Sequence, residues 1–420
     1  MGSLNQMRSL AWVKAVGFAA ALALLAGPAL AEAGDSIWAR DKLTGDWGGT
    51  RGWLADHGVT SQLEMTGFYQ GLFSGSGHSA FEPGARIDAL LNFDSGKLGL
   101  WEGGGLHTHL EYRFGDLPAF RSGVLWPVNT GVVLPLGANE QIEATSIYVS
   151  QRFSDSTSIL AGKINAVDLL ARDPFFGGWG IHRFMNLAFV APPSGVFPPV
   201  VVGAILKYNY KPFDLTFMVY DPDDRTNEYG TDRLFSKGVN LSLGGAWSGK
   251  VAGRTTNLTL TGIYSTRDGA DLSQVLLPTN LKTNPKEGSF NVALQFGHLL
   301  LQSQTQPGKG IGLYAKGSIA DGNPNPIRAS FIGGIAGHGI VPSRPLDSFG
   351  LGYYFYKFSD DLQDAVNPKI HFGDEQGFEA FYNLAATPWF RLTADLQAID
   401  PANGASKKAV IAALRANVAF

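Results

Sequence analysis

The 420-residue chain contains no cysteine, which excludes a disulfide framework, a thiolate metal site and a lipid-anchored N-terminal cysteine. Charge is sparse: Asp, Glu, Lys and Arg make up 16% of residues, against roughly 25% in soluble domains. After residue 31 no run of 18 or more apolar residues occurs, so membrane-spanning helices are excluded. There is no basic excess, with 33 Lys and Arg against 36 Asp and Glu, and nucleic acid is not an expected partner. No G-x-S-x-G, phosphate-binding glycine loop or H-E-x-x-H is present. The common local signatures of enzymes are therefore missing, and neither a cofactor nor a metal is expected.

Glycine, at 53 residues, and aromatics, at 12%, are what the chain has in their place. The first 31 residues follow the order of a secretory signal. Arg8 and Lys14 are followed by an apolar Ala- and Leu-rich core from Ala15 to Leu25, then by the small-x-small site Ala29-Leu30-Ala31. Cleavage there removes two cations and no anion, leaving 31 basic and 36 acidic residues. Residues 1–31 are thus expected to be an export signal, 32–61 a periplasmic segment with a short helix, and 62–420 one undivided unit.

That unit reads as alternating strands. Ile87, Ala89, Leu91 and Phe93 fall on one face with Arg86, Asp88, Asn92 and Asp94 on the other. In the next segment Leu106, Thr108, Leu110, Tyr112 and Phe114 oppose His107, His109, Glu111 and Arg113. The period recurs at 62–73, 85–95, 104–114, 141–153, 157–166, 201–210, 213–221, 236–248, 256–267, 287–299, 309–320, 327–337, 346–358, 376–387, 389–399 and 407–420. The reading is all-β, a transmembrane antiparallel β-barrel of about 16 strands in a bacterial outer membrane, with long outer and short periplasmic connections. Its last strand ends on Phe420. Expected partners are the outer-membrane lipid and lipopolysaccharide, and the barrel assembly machinery through that final strand. Monomer and homo-oligomer remain open.

Leu43-Thr44-Gly45-Asp46-Trp47-Gly48-Gly49-Thr50-Arg51 resembles the opening of the carbohydrate-selective porins, the OprB family. Asp94-Ser95-Gly96-Lys97-Leu98-Gly99-Leu100-Trp101 resembles that family's first periplasmic turn, and Ala161-Gly162-Lys163-Ile164 its Gly-Lys strand. Gly180-Ile181-His182-Arg183-Phe184-Met185-Asn186 is similar to part of its long third outer loop. The resemblance implies a sixteen-stranded barrel, passive uptake of small sugars and a third loop folded inward. A general or ion-selective porin is the closest alternative, and an outer-membrane enzyme a more distant one.

A neutral sugar is selected by directional hydrogen bonds to its hydroxyls and by flat apolar surfaces for its C–H faces. Arg86, Asp88, Glu111 and Arg113 share the lumen face of adjacent strands, with Lys163 on the fifth, and are the candidate constriction residues. The 167–200 loop adds Arg172, Asp173, Trp179, Arg183 and Asn186. His107 and His109 have a spacing that can place two imidazoles on one metal; with no cysteine available they read as pore-lining polar residues.

Overall fold

The computed structural model describes residues 36–77, 79–115, 123–135, 140–170, 182–190, 197–283, 285–304, 309–367 and 369–420. The expected export signal lies outside them. Sixteen strands are present among the described residues. The first eight are β1 (Val59–Ser74), β2 (Phe81–Asp94), β3 (Gly104–Gly115), β4 (Ile142–Arg152), β5 (Thr157–Asn165), β6 (Val200–Tyr210), β7 (Phe213–Tyr220) and β8 (Asn240–Val251). The second eight are β9 (Arg254–Ser265), β10 (Ser289–Gln302), β11 (Gly310–Ala320), β12 (Ile327–His338), β13 (Ser348–Phe358), β14 (Glu375–Ala385), β15 (Phe390–Asp400) and β16 (Ala409–Ala419). Each pairs antiparallel with its sequence neighbours, and β1 closes on β16. Closure removes both sheet edges, so the ladder pairs its backbone groups within lipid.

The alternation places the two faces as the period requires. In β9 and β10, Leu260 and Leu294 are 54% and 49% exposed on the outer wall and stand directly opposite each other. Arg86, Asp88, Glu111 and Arg113 lie on the inner wall and are buried. Most outer connections are longer than the periplasmic turns, the exceptions being 75–80, 321–326 and 401–408. Outer loops L2 (116–141), L3 (166–199) and L4 (221–239) contrast with the two-residue turns at 211–212 and 252–253. The expected strand 236–248 begins only at Asn240 because Gly238, at φ 116, breaks the extended chain. Conversely, β2 begins four residues before the expected 85, since Phe81 to Gly84 still pair with Gly71 to Phe68 above the apolar zone.

A short helix, Thr50–Asp56, begins within the Gly-Asp-Trp-Gly-Gly-Thr-Arg segment, entered through Gly49 at φ 88. This segment lies against the closing seam. The Leu43 N–H donates to the Ala419 carbonyl (2.8 Å) and the Phe420 N–H to the Leu63 carbonyl (2.9 Å). Arg51 stacks 4.2 Å over Trp47 and donates to Thr44 Oγ1 (3.1 Å) and the Phe420 carbonyl (3.3 Å). Arg51→Ala is expected to destabilise this latch by about 1–2 kcal/mol, since the side chain is partly buried and its stacking and hydrogen bonds each contribute about 0.5–1 kcal/mol. The temperature at which the protein loses its compact form on SDS gels should fall. An unchanged transition would show that the segment merely rests on the barrel.

Candidate functional site

The hairpin order of β2 and β3 brings four charged residues into register: Asp88 faces Glu111 and Arg86 faces Arg113. Like charges directly opposite destabilise a sheet, and the structure relieves this with one diagonal ion pair and one along each strand. Arg86 Nε lies 2.7 Å from Asp88 Oδ1 and its Nη2 3.0 Å from Glu111 Oε1. Arg113 Nε lies 3.5 Å from Glu111 Oε2. Glu111 Oε1 also accepts from Thr145 (2.8 Å) and Asn165 (2.7 Å). Thr145 is free to reach it because the β3–β4 register shifts between His109 and Leu110.

Both arginines continue into L2. Arg86 Nη1 donates to the carbonyls of Leu134 (3.1 Å) and Gly131 (3.4 Å). Arg113 donates to those of Val132 (3.3 Å) and Pro135. These carbonyls belong to or follow the short helix Thr130–Val133, whose last carbonyls need donors from outside. The guanidinium groups supply them, and the side chains are 0–1% exposed. Sequence reasoning brought these four residues together; it did not foresee that the two arginines hold L2.

L3 reaches from its root between β5 and β6 to β14–β16 and is fastened there. The Asn186 N–H donates to Glu379 (3.0 Å), as does that of Met185. The Asn186 side chain donates to Gln397 Oε1 (3.1 Å). Arg415 holds the Arg183 carbonyl from two nitrogens at 3.1 Å. Phe184 and Phe189 stack on each other at 4.5 Å and pack edge-on against Tyr314, Phe381 and Tyr354. L2 and L3 also join each other, through Thr130 Oγ1 to the Met185 carbonyl (2.9 Å) and the Leu187 N–H to that of Pro127 (2.9 Å). Together they cover the contiguous arc of wall from β13 through β16 and β1 to β3, which L3 reaches from its root at the end of β5. Glu379, Gln397 and Arg415 were missed, although period-2 counting on β14–β16 places them on the inner face as it does Arg86.

Lys163 lies apart from the four-residue cluster. Its Nζ donates to the Thr226 carbonyl of L4 (2.7 Å) and sits 4.2 Å over the Tyr229 ring. The Tyr229 hydroxyl donates to Glu143, and the residue is 61% exposed. His107 and His109 diverge: His107 meets Asn92 and Ser150, each at 2.8 Å, while His109 joins the charged cluster. Asp88, His109 and Glu111 stand close enough for a metal ion, but the Arg86 guanidinium bridges the two carboxylates and supplies the positive charge there. Arg172, Asp173 and Trp179 lie outside the described residues.

A closed sixteen-stranded barrel with an apolar outer wall, a charged inner wall and loops drawn into the lumen is an outer-membrane channel of the porin class. The model of the carbohydrate-selective porin, OprB family, matches residues 81–420. The chain belongs to that family and to the bacterial outer membrane. The high-pH structure of Pseudomonas putida OprB is similar over 92% of this chain and 100% of that one, at 20% identity and TM-score 0.80. Its low-pH structure is similar over 91% and 99%, at 18% identity and TM-score 0.59. The outer membrane channel DcaP of Acinetobacter baumannii is similar over 86% and 97%, at 12% identity and TM-score 0.50. These likenesses show the fold. No curated protein matches the chain.

Proposed function

We propose that small neutral carbohydrates diffuse passively, with no catalytic step, through the part of the lumen that L2 and L3 leave open. The observation that carries this reading is the double anchoring of L2 and L3, which narrows the lumen while leaving Lys163, Glu143 and Tyr229 at its edge. Tyr229, 61% exposed, supplies a flat apolar face, and the buried Lys163 and Glu143 hold its ring and hydroxyl in place. Arg86, Asp88, Glu111 and Arg113 frame the constriction, Asn186 and Arg183 fix L3, and Arg172, Asp173 and Trp179 belong to the part of L3 proposed to face the solute. Residues 1–31 act as the cleaved export signal, and the Phe420-terminated strand is read by the assembly machinery. Lipopolysaccharide surrounds the outer rim.

The test is sugar block of ion current in planar bilayers, with liposome swelling for flux. Tyr229→Ala and Lys163→Ala are each expected to weaken monosaccharide block about fivefold, which corresponds to roughly 1 kcal/mol of lost contact. Unchanged block in both would move recognition to another part of the lumen. Ion current insensitive to any sugar in the wild type would make the channel a general diffusion pore.

A further inference from the structure

His109 is buried on the inner face of β3, and both of its ring nitrogens meet carboxylates. Nε2 lies 2.9 Å from Asp88 Oδ1 on β2, and Nδ1 lies 2.9 Å from Asp168 Oδ2. Asp168 sits in the five-residue helix Ala166–Leu170, which opens L3 directly after β5. A neutral imidazole carries one N–H and one lone pair. With a carboxylate oxygen at hydrogen-bond distance from each nitrogen, a neutral ring would turn its lone pair on a second acceptor. Two protons therefore lie along these two contacts, and imidazole, a stronger base than carboxylate, holds them.

We propose that His109 is a positioning residue of the channel: as an imidazolium it ties the root of L3 to the barrel wall and completes the charge balance of the constriction frame. This inference rests on reading the β2–β3 cluster as that frame. The groups facing the ring come from each neighbouring element. From β2 there are Asp88 and Arg86; from its own strand Glu111, whose Oε1 is 3.7 Å from Nδ1, and Arg113 beyond it. The L3 root gives Asp168, and β4 gives the neutral Ser146, whose hydroxyl donates to Asp168 at 3.2 Å. Glu143, also on β4, stands opposite Glu111 but accepts from Tyr229 beside the Lys163 ammonium. On β5, Asn165 is neutral and Lys163 is turned to L4. With the ring protonated, Arg86, His109 and Arg113 balance Asp88, Glu111 and Asp168. Loss of the proton leaves the frame one charge negative and sets a lone pair against a carboxylate at the L3 root. The channel then favours cations, and L3 is held less tightly at its start.

The experiment measures reversal potentials in a KCl gradient across planar bilayers from pH 5 to 10, for wild type, His109→Gln and Asp168→Asn. Migration on unheated SDS gels establishes that each variant is folded. At pH 6, His109→Gln, which lacks the charge at every pH, is expected to show a K+ over Cl− permeability ratio about threefold above wild type, the scale of one unit charge in a narrow pore. That variant should be flat with pH across the range in which the wild-type ratio climbs towards it. Asp168→Asn removes one carboxylate that favours the imidazolium, so its climb should come at lower pH than in wild type.

Equal ratios for wild type and His109→Gln at pH 6 would overturn the proposal, as would a pH response of His109→Gln matching the wild type. If His109→Gln does not fold, Asp168→Asn decides alone: a transition no earlier than the wild type's, or none, overturns it. Liposome swelling with a monosaccharide, run on the same preparations, tests sugar passage separately. A wild type impermeable to sugar sinks the proposed function while leaving the ion measurements readable.

Discussion

Arginine at Leu260 or Leu294 is expected to destabilise the barrel by about 2–4 kcal/mol, the cost of a cation near the bilayer midplane on a lipid-facing wall. Both residues lie mid-strand and face outward. They are cross-strand partners, so the double substitution brings two like charges together and should cost more than the sum of the singles. Thr261→Arg is the control, because Thr261 is the next residue on β9 and points to the lumen opposite Ala293. Urea unfolding in lipid vesicles, read by SDS migration, should show a large loss for the two leucine variants and a small one for Thr261→Arg. Equal losses would mean that the faces of β9 and β10 are assigned the wrong way round.

The second large effect concerns L2. Removing the Arg86 guanidinium by Arg86→Ala leaves Asp88 and Glu111 short of a buried counter-charge, at a cost of about 3–5 kcal/mol. It also takes the donor from the Gly131 and Leu134 carbonyls. The sixteen-strand ladder does not depend on these contacts, so the loss falls on the placement of L2. Arg113→Ala acts in the same way through Val132 and Pro135. Each variant should show higher single-channel conductance, by about twofold, a larger size limit for sugars in swelling assays, and a shift towards cations. Arg86→Lys restores the charge without the planar fork. It should recover the ion preference while the size limit stays raised. Wild-type conductance and size limit in both alanine variants would show that L2 is not the constricting element.

Much of this molecule could be read from residue order. All sixteen strands were anticipated, and so was the lumen face of β2 and β3. A strand's side chains alternate by geometry alone, and hairpin-connected strands are neighbours by necessity. Arg86, Asp88, Glu111 and Arg113 met for that reason. His109 shares their face and was visible as a polar lumen residue, but its role depends on Asp168, 59 residues on, across a loop entry. Asn186 was expected to touch solute; it holds L3 to Gln397, 211 residues away.

The sequence by itself determined the period, and with it the barrel, the apolar outer wall and the charged inner one, since each follows from neighbours one or two residues apart. Tertiary structure alone decided where L2 and L3 dock, which carboxylates receive their backbone donors, and that Arg86 and Arg113 grip a loop. Those contacts join positions tens to hundreds of residues apart across the lumen, and no local pattern specifies which of many inward-facing polar groups will meet once the barrel has closed.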